Sequence, residues 1–88
     1  MEKTITKKKT DTDKSNLYHL IIHNDNINSF DHVIECLIKY CGHESIQAEQ
    51  CSITIHTKGK CDVKEGNFEE MYILKKKLEN ENLTCSIE

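Results

Sequence analysis

The chain predicts a small α+β fold, with elements in the order β-α-α-β-α-β. Three observations carry that reading. Apolar residues at 30, 33, 34, 37, 38 and 41 recur at helical spacing, and those at 68, 71, 74 and 78 do the same. The runs at 20–22 and 83–87 have the length and, in the second case, the alternation of strands. With 88 residues there is material for one domain.

Residues 1–17, rich in Lys, Thr, Asp and Ser, lack apolar periodicity and are expected to form a flexible arm ahead of a domain at 18–88. Tyr18–His23 reads as the first strand, with Leu20, Ile21 and Ile22 as its apolar run. A polar turn at 23–28 leads to a helix with Asn28 as its expected N-cap and Asp31 three residues on, close to a capping box. Phe30, Val33, Ile34, Leu37, Ile38 and Cys41 form its apolar face, and Gly42 ends it. Residues 44–58 pull in two directions. Ala48, Cys51 and Ile55 suit a helical stripe closed by Gly59, whereas "SITIHT" at 52–57 has the β-branched content of a strand; periodicity favours the helix. Cys61–Lys64 is a short strand, Gly66-Asn67 a turn and cap, and 68–80 a helix with Phe68, Met71, Leu74 and Leu78 on one face. The Lys75-Lys76-Lys77 run near its C-terminal end is a solvated face favoured by the helix dipole. Leu83–Ile87 is a half-buried final strand.

Composition excludes several functions. Lys and Arg number 12 against 15 Asp and Glu, for a net charge of −3, which argues against nucleic acid as a partner. No segment approaches the roughly 18 apolar residues of a membrane span, and "MEKTITKKKTDTDKSN" lacks a signal-peptide core, so a cytoplasmic location is expected. The five cysteines, at 36, 41, 51, 61 and 85, read as free thiols. The near candidates for a metal site are Cys36/Cys41 and the helical pair His32/Cys36, but the spacing matches no zinc pattern, and neither metal nor cofactor is expected. Enzyme chemistry is not expected either, because no cysteine has a recognisable base and orienter.

The polar turn His23-Asn24-Asp25-Asn26 has two readings. Asn and Asp side chains bond nearby backbone and favour turns by themselves. Alternatively, a carboxylate and amide oxygens beside an apolar strand end suit a cationic group that carries a hydrophobic side chain, as an α-amino terminus does.

In the stretches "YHLIIHNDN", "FDHVIECLIKYCGH", "IHTKGKC" and "LTCSIE", over about residues 18–88, the chain resembles the ClpS family, adaptors of the bacterial Clp protease. The resemblance implies a three-stranded antiparallel sheet packed against three helices, with 44–58 helical. It implies a monomeric, non-enzymatic adaptor that binds the free α-amino group and bulky apolar side chain (Leu, Phe, Tyr or Trp) of N-degron substrates. The folded domain would dock on the N-terminal domain of a Clp-family AAA+ unfoldase while the arm takes part in hand-off. The implied α-amino-binding residues are Asn24, Asp25 and His56, and the implied side-chain pocket is Ile22, Asn28, Phe30, Val33, Ser52, Ile55 and Leu83. Phe30 and Ser52 stand where the family commonly has Met, Asn26 replaces an acidic residue and Asn28 a Thr, so the preference among N-terminal residues stays open. Two alternatives also stay open: a ClpS-like docking modulator or inhibitor without ordinary N-degron binding, and a structural interaction module.

Overall fold

Strand β1, Tyr18–His23, occupies the middle of the sheet, and its residues Leu20, Ile21 and Ile22 are all buried. The computed structural model describes residues 17–88; the arm expected over 1–17 lies, apart from Leu17, outside the described residues. Strands β2, Lys60–Gly66, and β3, Thr84–Ile87, flank β1 in the order β2-β1-β3, and both pairings are antiparallel. Ile22 is opposite Cys61 on one side and Cys85 on the other. A central strand has neighbours on both edges, which is why the most apolar run of the chain takes this position.

The register on the β2 side skips once. Leu20 pairs with Lys64 and Ile21 with Asp62, which leaves Val63 as the extra residue of a β-bulge. Val63 is only 5% exposed, and its carbonyl accepts a bond from Nε2 of the buried His43 at 2.7 Å. An interior imidazole therefore ties the bulge to the connection between the first two helices.

Helix α1, Phe30–Cys41, turns Val33, Cys36, Leu37 and Cys41 inward. Its N-cap is Ser29, whose hydroxyl accepts from the His32 N–H at 3.1 Å. This corrects the expectation of Asn28, which bonds elsewhere. Gly42 closes the helix at φ +70°, a left-handed conformation that glycine adopts without a steric penalty. Helix α2, Ser45–Lys58, buries Ala48, Ser52 and Ile55 on one stripe. The helical reading of 52–57 prevails over β-propensity because Ala48, Ser52 and Ile55 face the core together, while the Thr54 and Thr57 hydroxyls donate back to the carbonyls of Gln50 and Ile53, four residues earlier. Gly59 then reverses the chain at φ +94°.

Helix α3, Phe68–Asn80, starts at the expected cap, Asn67, whose side-chain oxygen accepts from the Glu70 N–H at 2.8 Å. Met71 and Leu78 are buried, whereas Phe68 is half exposed and packs edge-on against Tyr18 and face-on against Tyr72. Some boundaries differ from the sequence reading: β2 begins at Lys60 rather than Cys61 and α2 at Ser45 rather than 44. β2 extends through Gly66, and the last strand begins at Thr84, with Leu83 buried just before it. All three helices and all three strands, or their flanking residues, contribute to one core, which includes Leu20, Ile22, Leu37, Ala48, Val63 and Leu78.

Leu37 is fully buried and Ile46 is 75% exposed. Leu37→Ala is expected to cost about 2–5 kcal/mol, and Ile46→Ala less than about 0.5 kcal/mol. Urea unfolding of both variants checks the assignment of the core.

Candidate functional site

The segment between β1 and α1 is built around one carboxylate. Asp25 Oδ1 accepts from the backbone N–H groups of Ile27 and Asn28, each at 2.9 Å, and from Asn28 Nδ2 at 3.2 Å. Oδ2 accepts from Asn28 Nδ2 at 2.9 Å and from the Thr84 hydroxyl at 3.3 Å. Asn28 Nδ2 also donates to the Asn82 carbonyl at 2.7 Å. Asn82 is the only described non-glycine residue with positive φ, at 71°, a region Asn tolerates better than most side chains. The turn at 25–28 is thereby bound to the loop that enters β3.

A second tie brings in α2. The Asn24 N–H donates to the Gly59 carbonyl at 2.8 Å, and the Gly59 N–H donates to Ile55 at 3.0 Å. The C-terminal turn of α2, which carries His56, is thus held against the end of β1. Asn24, Asp25 and His56 consequently line a single cavity of about 300 Å³. The Asn24 and His56 side chains are exposed and make no hydrogen bond to another described residue.

Of the implied side-chain pocket, Asn28, Phe30, Val33, Ser52 and Ile55 line that same cavity. Ile22 and Leu83 do not; they are 1% and 4% exposed and belong to the core cluster, which Val33 and Ile55 join from the cavity side. Ser29 also lines the cavity and was missed. The signal for it was present, a capping residue directly before the first apolar position of α1. Ser52 is 2% exposed, and its hydroxyl has no hydrogen-bond partner among the described residues. Leaving a buried donor unmet costs about 1–3 kcal/mol.

Partial burial pushes the Asp25 carboxyl up, but the N–H groups of Asn28 and Ile27 and the side chains of Asn28 and Thr84 outweigh it and hold the group below its ordinary value. The cavity rim therefore carries a fixed negative charge. The thiols are in the opposite condition. All five cysteines are free, and burial pushes Cys41 up to about 11 and Cys85 to about 12. Burial first, and the neighbouring Cys51 thiol second, push Cys61 up to about 12. Thiols so placed stay protonated and are poor nucleophiles. No helix among the described residues is long and apolar enough to cross a membrane.

A polar-lined cavity thus lies beside the end of β1 and two helices of a small α+β domain. The profile of the ClpS family, described as ATP-dependent Clp protease adaptor protein ClpS, matches residues 13–86, and the chain belongs to that family. It is 38% identical over 61 residues to the ATP-dependent Clp protease adapter protein ClpS of Acetivibrio thermocellus, a match covering 67% of this chain and 62% of that relative. The chain thus spans somewhat less than two thirds of the relative's length. The solved structure of Agrobacterium tumefaciens ClpS2 bound to L-phenylalaninamide shares the fold, with a TM-score of 0.77 over 83% of this chain and 95% of that one at 19% identity.

Because the folded-state pKa of Asp25 is depressed, the unfolded chain binds more protons as the medium turns acid. The stability contributed by this carboxylate is therefore complete well above 3.8, its ordinary value, and is lost as the pH falls through the lower folded value. Asp25→Asn removes the charge and sets an amide donor against the Asn28 donors. It is expected to cost about 1–3 kcal/mol at neutral pH and to flatten the acid limb of stability against pH. Urea midpoints measured from neutral pH to below 3.8 for both proteins check this.

Proposed function

We propose that the chain is an adaptor that receives the free α-amino group and the bulky apolar side chain of N-degron substrates and delivers them to a Clp-family unfoldase–protease. The observation that carries this reading is the single cavity whose lining combines Asn24, Asp25 and His56 with Phe30, Val33 and Ile55. An ammonium offers three N–H donors and accepts none. The Asn24 amide oxygen and a neutral His56 nitrogen are free to take two of them. Asp25 has its oxygens committed to the turn, so its part is chiefly to place negative charge beside the ammonium. L-phenylalaninamide, bound in the structure of Agrobacterium tumefaciens ClpS2, carries a free amine next to an apolar ring, the same pairing of chemistry.

The pocket has its own character. Phe30 is 42% exposed at the cavity and presents a rigid ring there. The unpartnered Ser52 hydroxyl would gain a partner from a side chain with a polar tip, such as Tyr. Energy for unfolding comes from the partner, and the chain itself catalyses nothing in this scheme. The unfoldase's N-terminal domain is the docking partner, and residues 1–17 are the arm used in hand-off.

Hydrogen bonds to a charged group contribute about 1.5–3 kcal/mol each, and burial of a Leu or Phe side chain contributes a similar amount. After the cost of association, low-micromolar affinity, about −8 kcal/mol, is expected. Fluorescence anisotropy with peptides beginning Leu, Phe, Tyr or Trp should show that affinity, and N-acetylation should abolish it. His56→Ala should weaken binding about ten- to a hundred-fold without unfolding the domain. Equal binding of free and acetylated peptides would rule out an α-amino receptor. Failure of all four peptides to bind would favour a docking modulator instead.

The arm has a separate test. Removing residues 2–16 should leave the peptide affinity unchanged but slow the degradation of a reporter with N-terminal Phe. Undiminished degradation would take the arm out of the hand-off. Extended, this segment reaches about 50 Å.

A further inference from the structure

His32 and Cys36 stand four residues apart on α1 and share one helical face. Glu81, the C-cap of α3, reaches them from the far end of that helix. One ligand atom from each of the three lies within 4.8 Å of the other two. His32 and Glu81 are half-buried, and Cys36 is 3% exposed. Together they line a cleft of about 320 Å³, shared with Glu35, Lys39 and Tyr40 and separate from the cavity of Asn24 and His56.

From this juxtaposition we infer a second binding site, one that takes a zinc-class divalent cation on His32 Nε2, the Cys36 sulfur and a Glu81 carboxylate oxygen. The donor set carries the assignment. Imidazole, thiolate and carboxylate are the three side-chain types that hold Zn²⁺, whereas Mg²⁺ and Ca²⁺ take oxygen ligands and leave thiolates alone. Spacing agrees with it. In a tetrahedral site with Zn–S of about 2.3 Å and Zn–N of about 2.0–2.1 Å, sulfur and nitrogen sit about 3.6 Å apart. Cys36 Sγ and His32 Nε2 are 3.7 Å apart.

The carboxylate is oriented as well. The Tyr40 hydroxyl donates to Glu81 Oε2 at 2.6 Å, which fixes the group and leaves the other oxygen for the ion. Three protein ligands leave a fourth position open towards the cleft. Glu35 adds negative charge to the lining, and Lys39 is the opposing cation.

Loading exchanges bonds in a balanced way. His32 Nε2 is 2.9 Å from the Glu81 carbonyl, which can only accept, so without an ion the ring proton sits on Nε2. With an ion on Nε2 the ring proton moves to Nδ1 and the bond to the carbonyl is given up. The cation displaces the Cys36 thiol proton to solvent, so each bound ion releases one proton. The result is a clip between α1 and the segment after α3. Glu81 directly precedes Asn82, whose carbonyl braces Asn28 and, through it, the Asp25 turn.

The test uses the full chain, reduced and metal-free, titrated anaerobically with Co²⁺ and then with Zn²⁺. One equivalent of Co²⁺ should produce a thiolate-to-cobalt charge-transfer band and visible bands of tetrahedral strength, which Zn²⁺ then abolishes. Cys36→Ser and His32→Gln should each lose the band, while Cys51→Ser and Cys85→Ser should keep it. Tyr40→Phe, which removes only the bond orienting Glu81, should lower Zn²⁺ affinity about 10–100-fold in competition with a chromophoric chelator. Where Cys36→Ser fails to fold by circular dichroism, the half-buried His32→Gln decides. A wild-type protein without the band, or a band undiminished in His32→Gln, would overturn the assignment.

Discussion

The Asp25 carboxylate is the interaction on which the rest of the site depends. Four donor groups make five hydrogen bonds to its two oxygens, from the turn backbone, from the Asn28 amide and from Thr84 at the start of β3. An ionised carboxylate can only accept, and it accepts more strongly than a neutral group. It thereby joins the β1–α1 turn to a strand lying 59 residues away in sequence. The cavity rim is thereby arranged before anything binds, so the cost of ordering it does not fall on the ligand.

That arrangement divides the work among the rim residues. Asp25 is committed to the fold, whereas Asn24 and His56 keep their side chains free because backbone bonds position them. The Asn24 N–H to Gly59 bond needs the left-handed conformation at Gly59, which turns the chain from α2 into β2 and brings the end of the helix to the end of the strand. A side-chain site held by main-chain bonds leaves its functional groups unspent. Ser52 lies on the same cavity with its hydroxyl unmet, a polar group in a place where an apolar residue would cost less.

Helix α1 serves both clefts. Phe30 and Val33 line one, and His32 and Cys36 line the other, each set spaced by a helical turn and offset around the axis. The Glu81-Asn82 peptide joins the two. The Glu81 carboxylate and carbonyl engage Tyr40 and His32 on one side, and the Asn82 carbonyl engages Asn28 on the other. One short segment thus contacts the linings of both clefts.

The elements themselves were legible in the sequence wherever the signal is local. The α1 stripe, the Asn67 cap, the glycine stops at 42 and 59 and the apolar run of β1 all depend on residues within a few positions of one another. Where two local signals compete, periodicity favours the helix at 44–58, but capping chemistry points to Asn28 rather than Ser29. Residues 52–57 carry strand propensity, and they are helical because Ala48, Ser52 and Ile55 face the core. Asn28 and Ser29 are both capping types, and Ser29 caps because Asn28 is drawn to Asp25 and to a carbonyl 54 residues away. Ile22 and Leu83, placed in the pocket by resemblance, belong to the core because the central strand and its neighbour pack there. The third member of the His32/Cys36 cluster comes from beyond α3, a proximity no spacing rule could supply. The sequence by itself determined the elements, their order and the polar turn, since periodicity and capping act over one or two helical turns. Only the tertiary structure decided which distant side chains meet, because sheet register and helix packing set those distances.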